Sequence, residues 1–208
     1  MPTNIYHERQ TRQLCALHTL NNLFQGQQSY TKEQLDQICN DLSPNVWINP
    51  HRSPLGLGNY DINVIMTALQ MRNCEAVWFD KRKDPSCIDL NAIVGFILNV
   101  PSDYKFAFVT LPLQKRHWIA IRRIDDKYYN LDSKLREPEC IGVETDLLSY
   151  LRAQLDTNKK ELFVIVEKTT ATSDQQNPIW LKAATNGKGA EHINGKDRVR
   201  IPSQLDTQ

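Results

Sequence analysis

The sequence predicts an α+β domain over residues 5–169. Two observations carry the prediction. In the first half, apolar residues recur at helical spacing behind recognisable capping residues. In the second half, short apolar and β-branched runs are separated by polar turns. Helices gathered early and antiparallel strands gathered late differ from the alternation that builds a parallel sheet.

Each element has its own warrant. Leu14, Leu17, Leu20, Leu23 and Phe24 place a helix over Leu14–Phe24. Thr31-Lys32-Glu33-Gln34 is a capping-box sequence and opens a second helix through Leu42, which Ser43-Pro44 ends. Residues 43–60 hold Pro44, Pro50, Pro54, Gly56 and Gly58 and predict a loop or mobile arm. Asp61 suits the N-cap of a helix over 62–71, with Ile62, Ile65, Met66 and Leu69 on one face. A strand is expected at Glu75–Phe79. Asp89 is expected to cap an amphipathic helix, Leu90–Leu98, closed by Pro101. Strands follow at Lys105–Leu113, His117–Ile124 and Lys127–Leu131, the last two joined by Asp125-Asp126. A helix over Thr145–Leu155 and a strand over Leu162–Val166 complete the domain.

After about Thr169 the texture changes. Ala171–Gln208 is polar and carries Asn186-Gly187-Lys188-Gly189 and Ile193-Asn194-Gly195, so residues 170–208 are expected to form a disordered tail. Its one apolar patch, Ile179-Trp180-Leu181, is either incidental or a docking point.

Composition narrows the function classes. The 208 residues are 40% hydrophobic and 24% charged, with a net charge of +1. That balance supplies no positive field for nucleic acid or a strong basic membrane anchor. No apolar run is long enough for a transmembrane helix. The start, Met1-Pro2-Thr3-Asn4-Ile5, has no apolar signal-peptide core, so a cytoplasmic or nuclear setting is expected, with peripheral membrane association left open. Cys15, Cys39, Cys74, Cys87 and Cys140 are odd in number and widely spaced, which disfavours a disulfide framework or structural zinc. No metal or cofactor is expected.

Cys15 is the one cysteine at the start of a predicted helix, where backbone N–H groups and the dipole stabilise a thiolate. A thiol nucleophile needs a base. His18, one turn on, reads as a packed helix histidine; His7 and His51 lie in polar loops and His192 in the tail. His117 opens a strand. With Asp125-Asp126 as a two-residue turn, Ile124 opposes Lys127 and Ile119 opposes Asp132. His117 then shares a sheet face with Asp132 as its diagonal neighbour, within side-chain reach. A carboxylate on one ring nitrogen leaves the other for a thiol. Gln10, five residues before Cys15, and Gln13, two before it, are both placed to donate a side-chain N–H to an oxyanion.

Tyr6-His7-Glu8-Arg9-Gln10 followed by Leu14-Cys15-Ala16-Leu17-His18-Thr19-Leu20-Asn21-Asn22-Leu23 resembles the N-terminal signature of the Josephin-domain deubiquitinating enzymes. His117-Trp118 and Tyr128-Tyr129-Asn130-Leu131-Asp132-Ser133-Lys134 resemble their second signature. Asn49-Pro50-His51-Arg52-Ser53 and Gly58-Asn59-Tyr60-Asp61-Ile62-Asn63-Val64-Ile65 resemble the short members, which are little more than the domain. The resemblance implies a papain-like cysteine protease fold, with a helical subdomain carrying a protruding helical hairpin, matched by residues 31–58, packed on an antiparallel sheet subdomain. It implies Cys15 as nucleophile, His117 as base, Asp132 as third member and Gln10 as the oxyanion-hole glutamine. Asp132 stands where one branch of the family has Asn. Ile62 matches a ubiquitin-contact position; Arg72 stands where an aromatic is expected nearby. Ubiquitin and ubiquitinated proteins are the implied partners of a monomeric deubiquitinase. A ubiquitin-binding module with weak or regulated protease activity is the alternative. Trp118, beside His117, is placed either to wall the narrow cleft that a diglycine end requires or to pack in the core on the other face.

Overall fold

The computed structural model describes residues 4–26, 29–53, 57–106, 109–157, 159–168 and 178–182. These form α1 (Cys15–Leu23), α2 (Lys32–Leu42), α3 (Ile62–Gln70), β1 (Cys74–Trp78), a short 3-10 turn (Pro85–Cys87), β2 (Gly95–Phe106), β3 (Val109–Ile124), β4 (Lys127–Asn130), β5 (Glu139–Gly142), α4 (Glu144–Leu155) and β6 (Glu161–Glu167). The six strands make one sheet in the order β1-β6-β2-β3-β4-β5. Every pairing is antiparallel.

The sheet is buried on both faces, and the alternation along its central strands shows how. Ile97, Trp118, Ala120 and Ile165 face the cluster that holds α1, α2 and α3. Phe96, Leu98, Ile119, Ile121 and Val164 face the cluster that holds Leu147, Leu151 and Leu155 of α4. All nine residues of α1 are buried. Leu20 and Leu23 are wholly removed from solvent, each worth roughly 1.5–3 kcal/mol. This helix is therefore the fixed post against which the sheet sets its chemistry.

The expected caps form. The Thr31 hydroxyl accepts from the Gln34 N–H at 3.3 Å, and Gln34 Oε1 accepts from the Thr31 N–H at 3.0 Å. Asp61 Oδ1 accepts from the N–H groups of Asn63 at 3.0 Å and Val64 at 3.2 Å. The arm expected over 31–58 consists of α2 and a return segment that is not helical among its described residues. Pro44 and Pro50 stand where a second helix would need backbone donors. Val46, Trp47 and Ile48 are exposed on that return.

One helix is corrected. Leu90–Leu98 is not a helix: turns occupy its start and β2 begins at Gly95. Asp89 does cap, but only a turn, accepting from the Asn91 N–H at 3.0 Å. The run Phe96-Ile97-Leu98 is apolar at every position because β2 lies between β6 and β3 with both faces covered. A doubly buried strand and a buried helix share that signature. Pro101, expected as a stop, lies within β2 opposite Arg116. The expected strand Lys105–Leu113 is instead the two legs of one hairpin, with Lys105 paired to Thr110 and Phe106 to Val109. The edge strand β5 has no counterpart in the sequence reading.

The tail patch docks. Ile88 and Leu181 form an antiparallel bridge. The Asp89 N–H donates to the Trp180 carbonyl and the Lys182 N–H to the Cys87 carbonyl, both at 2.8 Å. Trp180 packs on the α4-side cluster. The rest of the expected disordered tail lies outside the described residues.

Candidate active site

Cys15 is the first residue of α1 and is 5% exposed. Leu14, at the N-cap, offers no side-chain hydrogen bond. The first-turn N–H groups thus keep their partial positive charge for whatever sits before them. The approach to Cys15 is braced by the return of the arm. Gln13 and Gly58 form a parallel bridge, and the Asn59 N–H donates to the Gln13 carbonyl at 2.7 Å. Gly58 has φ +106°, and a Cβ there would lie 2.4 Å from the Gln13 carbonyl oxygen. Only glycine fits.

The hairpin register puts the base and its carboxylate together. Ile124 pairs with Lys127 and Ile121 with Asn130. The Leu131 N–H donates to the Ala120 carbonyl at 2.8 Å, carrying the ladder one residue beyond β4. Beyond it, at the same end of the hairpin, His117 Nε2 lies 2.6 Å from Asp132 Oδ1. Asp132 is fixed in turn: its N–H donates to Asn130 Oδ1 at 3.0 Å, and its Oδ1 accepts from the Lys134 N–H at 2.9 Å.

Burial, the largest influence on His117, disfavours the imidazolium, but the Asp132 bond and the Cys15 thiol outweigh it and raise the pKa above 6.5. Burial also opposes the Asp132 carboxylate, yet the bond to His117 and the Lys134 N–H hold its pKa below 3.8. His117 is thus flanked by Asp132 on Nε2 and by the Cys15 side chain, which leaves Nδ1 for the thiol. A thiol, an imidazole and a carboxylate are the residue types that a cysteine-hydrolase relay needs.

Gln10, on the N-terminal strap, is tied to Ser133, the residue after Asp132. Its N–H donates to the Ser133 carbonyl at 2.7 Å, and its Nε2 donates to the Arg12 carbonyl at 3.0 Å. The strap is clamped to α1. The His18 Nε2 accepts from the Thr11 N–H at 3.3 Å, so its Nδ1 carries the proton and donates to Glu8 Oε2 at 2.6 Å. Asn22 Oδ1 accepts from the Glu8 N–H at 2.6 Å, and its Nδ2 donates to the Leu131 carbonyl at 3.0 Å. Asn21 donates to both Glu8 oxygens. His18 is therefore a packed histidine with a positioning task. Glu8, Asn22 and Ser133 were not singled out from the sequence. Their signal is weak because the partners just named stand 10 or more residues away.

Gln13 is braced through its backbone, and its buried Oε1 has no partner among the described residues. Trp118 is buried in the core: its Nε1 donates to the Tyr60 carbonyl at 3.0 Å, and it stands 6.1 Å from Phe163, ring centre to ring centre. Ile62, at the start of α3, is half-buried and packs on the α1-side cluster. His51 is engaged elsewhere, with Nδ1 2.8 Å from Asp61 Oδ2. Burial pushes the Cys39 thiol up to about 11 and raises Cys74 and Cys87, which disfavours their thiolates. Among the described residues, no group of three or more His, Cys, Asp or Glu is placed to hold a metal.

A family model described as Josephin matches residues 10–166. The chain belongs to the Josephin family. The Josephin domain is a papain-like fold, and the four helices and six-stranded sheet described above are this chain's version of it. A Josephin-like protein of Drosophila melanogaster is 55% identical over 182 residues, covering 87% of this chain and 82% of the relative. Human Josephin-2 is 46% identical over 181 residues, covering 87% of this chain and 94% of the relative. Human ataxin-3 is 29% identical over 180 residues, covering 78% of this chain and 45% of the relative. The Josephin match thus relates this chain to ataxin-3, a deubiquitinase.

Proposed function

We propose that this Josephin protein hydrolyses isopeptide or ester bonds at the C-terminal Gly of ubiquitin. The observation that carries the reading is the placement of His117 between Asp132, at 2.6 Å, and the Cys15 thiol at the start of α1.

His117 Nδ1 takes the Cys15 proton, and the thiolate attacks the Gly carbonyl carbon. The oxyanion is met by the Cys15 N–H and the Gln10 amide. As the tetrahedral species collapses, the carbon–nitrogen or carbon–oxygen bond breaks and the imidazolium protonates the leaving group. Water, deprotonated by His117, then attacks the thioester, releasing the ubiquitin carboxylate and the thiol. Asp132 holds the ring and balances the imidazolium in both halves.

Release of a fluorophore from the C-terminus of ubiquitin tests the reading. Wild type turns the reporter over and Cys15→Ala does not; equal rates overturn it. Gln10→Ala is expected to cost on the order of 10²–10³ in kcat, as for other oxyanion donors.

A further inference from the structure

We infer that Ser133 is a positioning residue for the Gln10 amide, fixing which of its ends faces the reacting carbonyl. The inference rests on the hydrolase reading above.

A glutamine amide has two nearly isosteric ends of opposite hydrogen-bonding character. With Nε2 towards the reacting carbon, Gln10 donates to an oxyanion. Turned over, it presents a carbonyl oxygen to the developing negative charge and opposes the reaction. Gln10 is half-buried on the strap, and packing alone does not distinguish the two ends.

Two contacts supply the distinction: the Arg12 carbonyl, which can only accept, takes the Nε2 end, and the other end is met by Ser133. Ser133 is 2% exposed, and its Oγ lies 3.5 Å from Gln10 Oε1. A buried hydroxyl needs an acceptor, and Oε1 serves. The turned-over amide would put an NH₂ group there and leave the hydroxyl proton without one. With Oε1 held, Nε2 is set on the other side, where one hydrogen donates to the Arg12 carbonyl at 3.0 Å. The second hydrogen of Nε2 remains for the oxyanion. At 3.5 Å the Ser133 contact is long for an O–H···O bond. Catalytic hydrogen bonds commonly tighten when substrate arrives.

The backbone reinforces this arrangement. The Gln10 N–H donates to the Ser133 carbonyl at 2.7 Å, so the two residues are joined at both main chain and side chain. Ser133 also directly follows Asp132. One short segment after β4 therefore carries the carboxylate for His117 and the clamp for Gln10. A displacement of that segment would misplace both the general base and the oxyanion donor.

The test is a double-mutant cycle on ubiquitin-fluorophore hydrolysis with wild type, Ser133→Ala, Gln10→Ala and the double variant. Alkylation of the Cys15 peptide by iodoacetamide is read alongside, since that reaction passes through no oxyanion. Ser133→Ala is expected to lower kcat roughly 5- to 30-fold, a fraction of the loss of a whole oxyanion donor. KM should stay within about twofold, and in the Gln10→Ala background the same change should cost less than about twofold. Its alkylation rate should match wild type within about twofold, because Cys15 and His117 are untouched. Multiplicative losses, or slowed alkylation, would overturn the inference and assign Ser133 to the support of Asp132 or of the fold. Failure of the hydrolase reading is read separately, as absence of turnover in wild type, and removes this inference with it.

Discussion

His117 Nε2 and Asp132 Oδ1 stand 2.6 Å apart across fifteen residues of chain, at the open end of the β3–β4 hairpin. The hairpin turn at Asp125-Asp126 sets this distance from six residues away on one strand and eight on the other, because register propagates along a ladder two residues at a time. Asp125 takes φ +54°, the left-handed conformation that a tight hairpin turn demands and that Asp tolerates.

Replacing Asp132 with Asn keeps a hydrogen-bonding group and removes the charge. The imidazolium then loses its counter-charge, and the acid limb of kcat/KM, set by protonation of the base, moves to lower pH. Turnover falls on the order of 10- to 100-fold, part of what general acid–base catalysis supplies. The stability consequence has a definite sign. His117 is raised above 6.5, so its contribution is full below that value and is lost as pH rises through the folded pKa. Asp132 is held below 3.8, so its contribution is present above that value and is lost as pH falls through the folded pKa. The gap in melting temperature between wild type and Asp132→Asn should therefore be widest between these two values and close towards either end. A pH series of thermal melts measures it.

Glu8 is the hub of the strap, bonded to His18, Asn21 and the Tyr6 hydroxyl. Glu8→Ala strands the buried polar groups of His18 and Asn21, at a cost of about 1–3 kcal/mol. Because the strap carries Gln10, kcat should fall while the iodoacetamide reactivity of Cys15 changes little. Denaturant unfolding and single-site alkylation read the two effects separately.

Gly58→Ala places a methyl group 2.4 Å from the Gln13 carbonyl at φ +106°. Strain of this kind costs roughly 1–3 kcal/mol. The segment that yields leads directly into Cys15, so activity should fall beyond what the loss of folded protein explains. Denaturant unfolding and activity per folded molecule are the two readouts.

Trp180 packs on the α4-side cluster through a five-residue docked segment, 178–182. Trp180→Ala should destabilise by about 1–2 kcal/mol, less than a fully buried tryptophan costs. Ubiquitin hydrolysis at 25 °C should be unchanged, because the segment lies on the sheet face opposite α1. A calorimetric melt beside a rate assay checks both.

Much of this was legible in the residues. The caps at Thr31 and Asp61 were, because a capping side chain just before a helix bonds the backbone N–H two or three residues on. The His117 and Asp132 pairing was, because a two-residue turn fixes register by arithmetic. What escaped depends on neighbours distant in sequence. Gly95–Leu98, the end of the expected helix Leu90–Leu98, reads as helix until β6 and β3 are seen covering both of its faces. The hairpin over Lys105–Thr110 reads as one strand because its turn carries no Asn-Gly or Asp-Gly signal. Ile179-Trp180-Leu181 offered two readings, and only the backbone of Cys87–Asp89 decides for docking. Glu8, Asn22 and Ser133 sit inside or beside the recognised motifs, yet their tasks emerge only where strap, helix and hairpin meet.

The central claim is that Cys15, activated by His117, acts on the C-terminus of ubiquitin. Its most direct test is capture by ubiquitin carrying a C-terminal electrophile, with the modified peptide located by mass spectrometry. Wild type should give a one-to-one adduct on Cys15, Cys15→Ala none, and His117→Ala a strongly slowed reaction. An adduct on another cysteine, or no adduct from correctly folded wild-type protein, would contradict it.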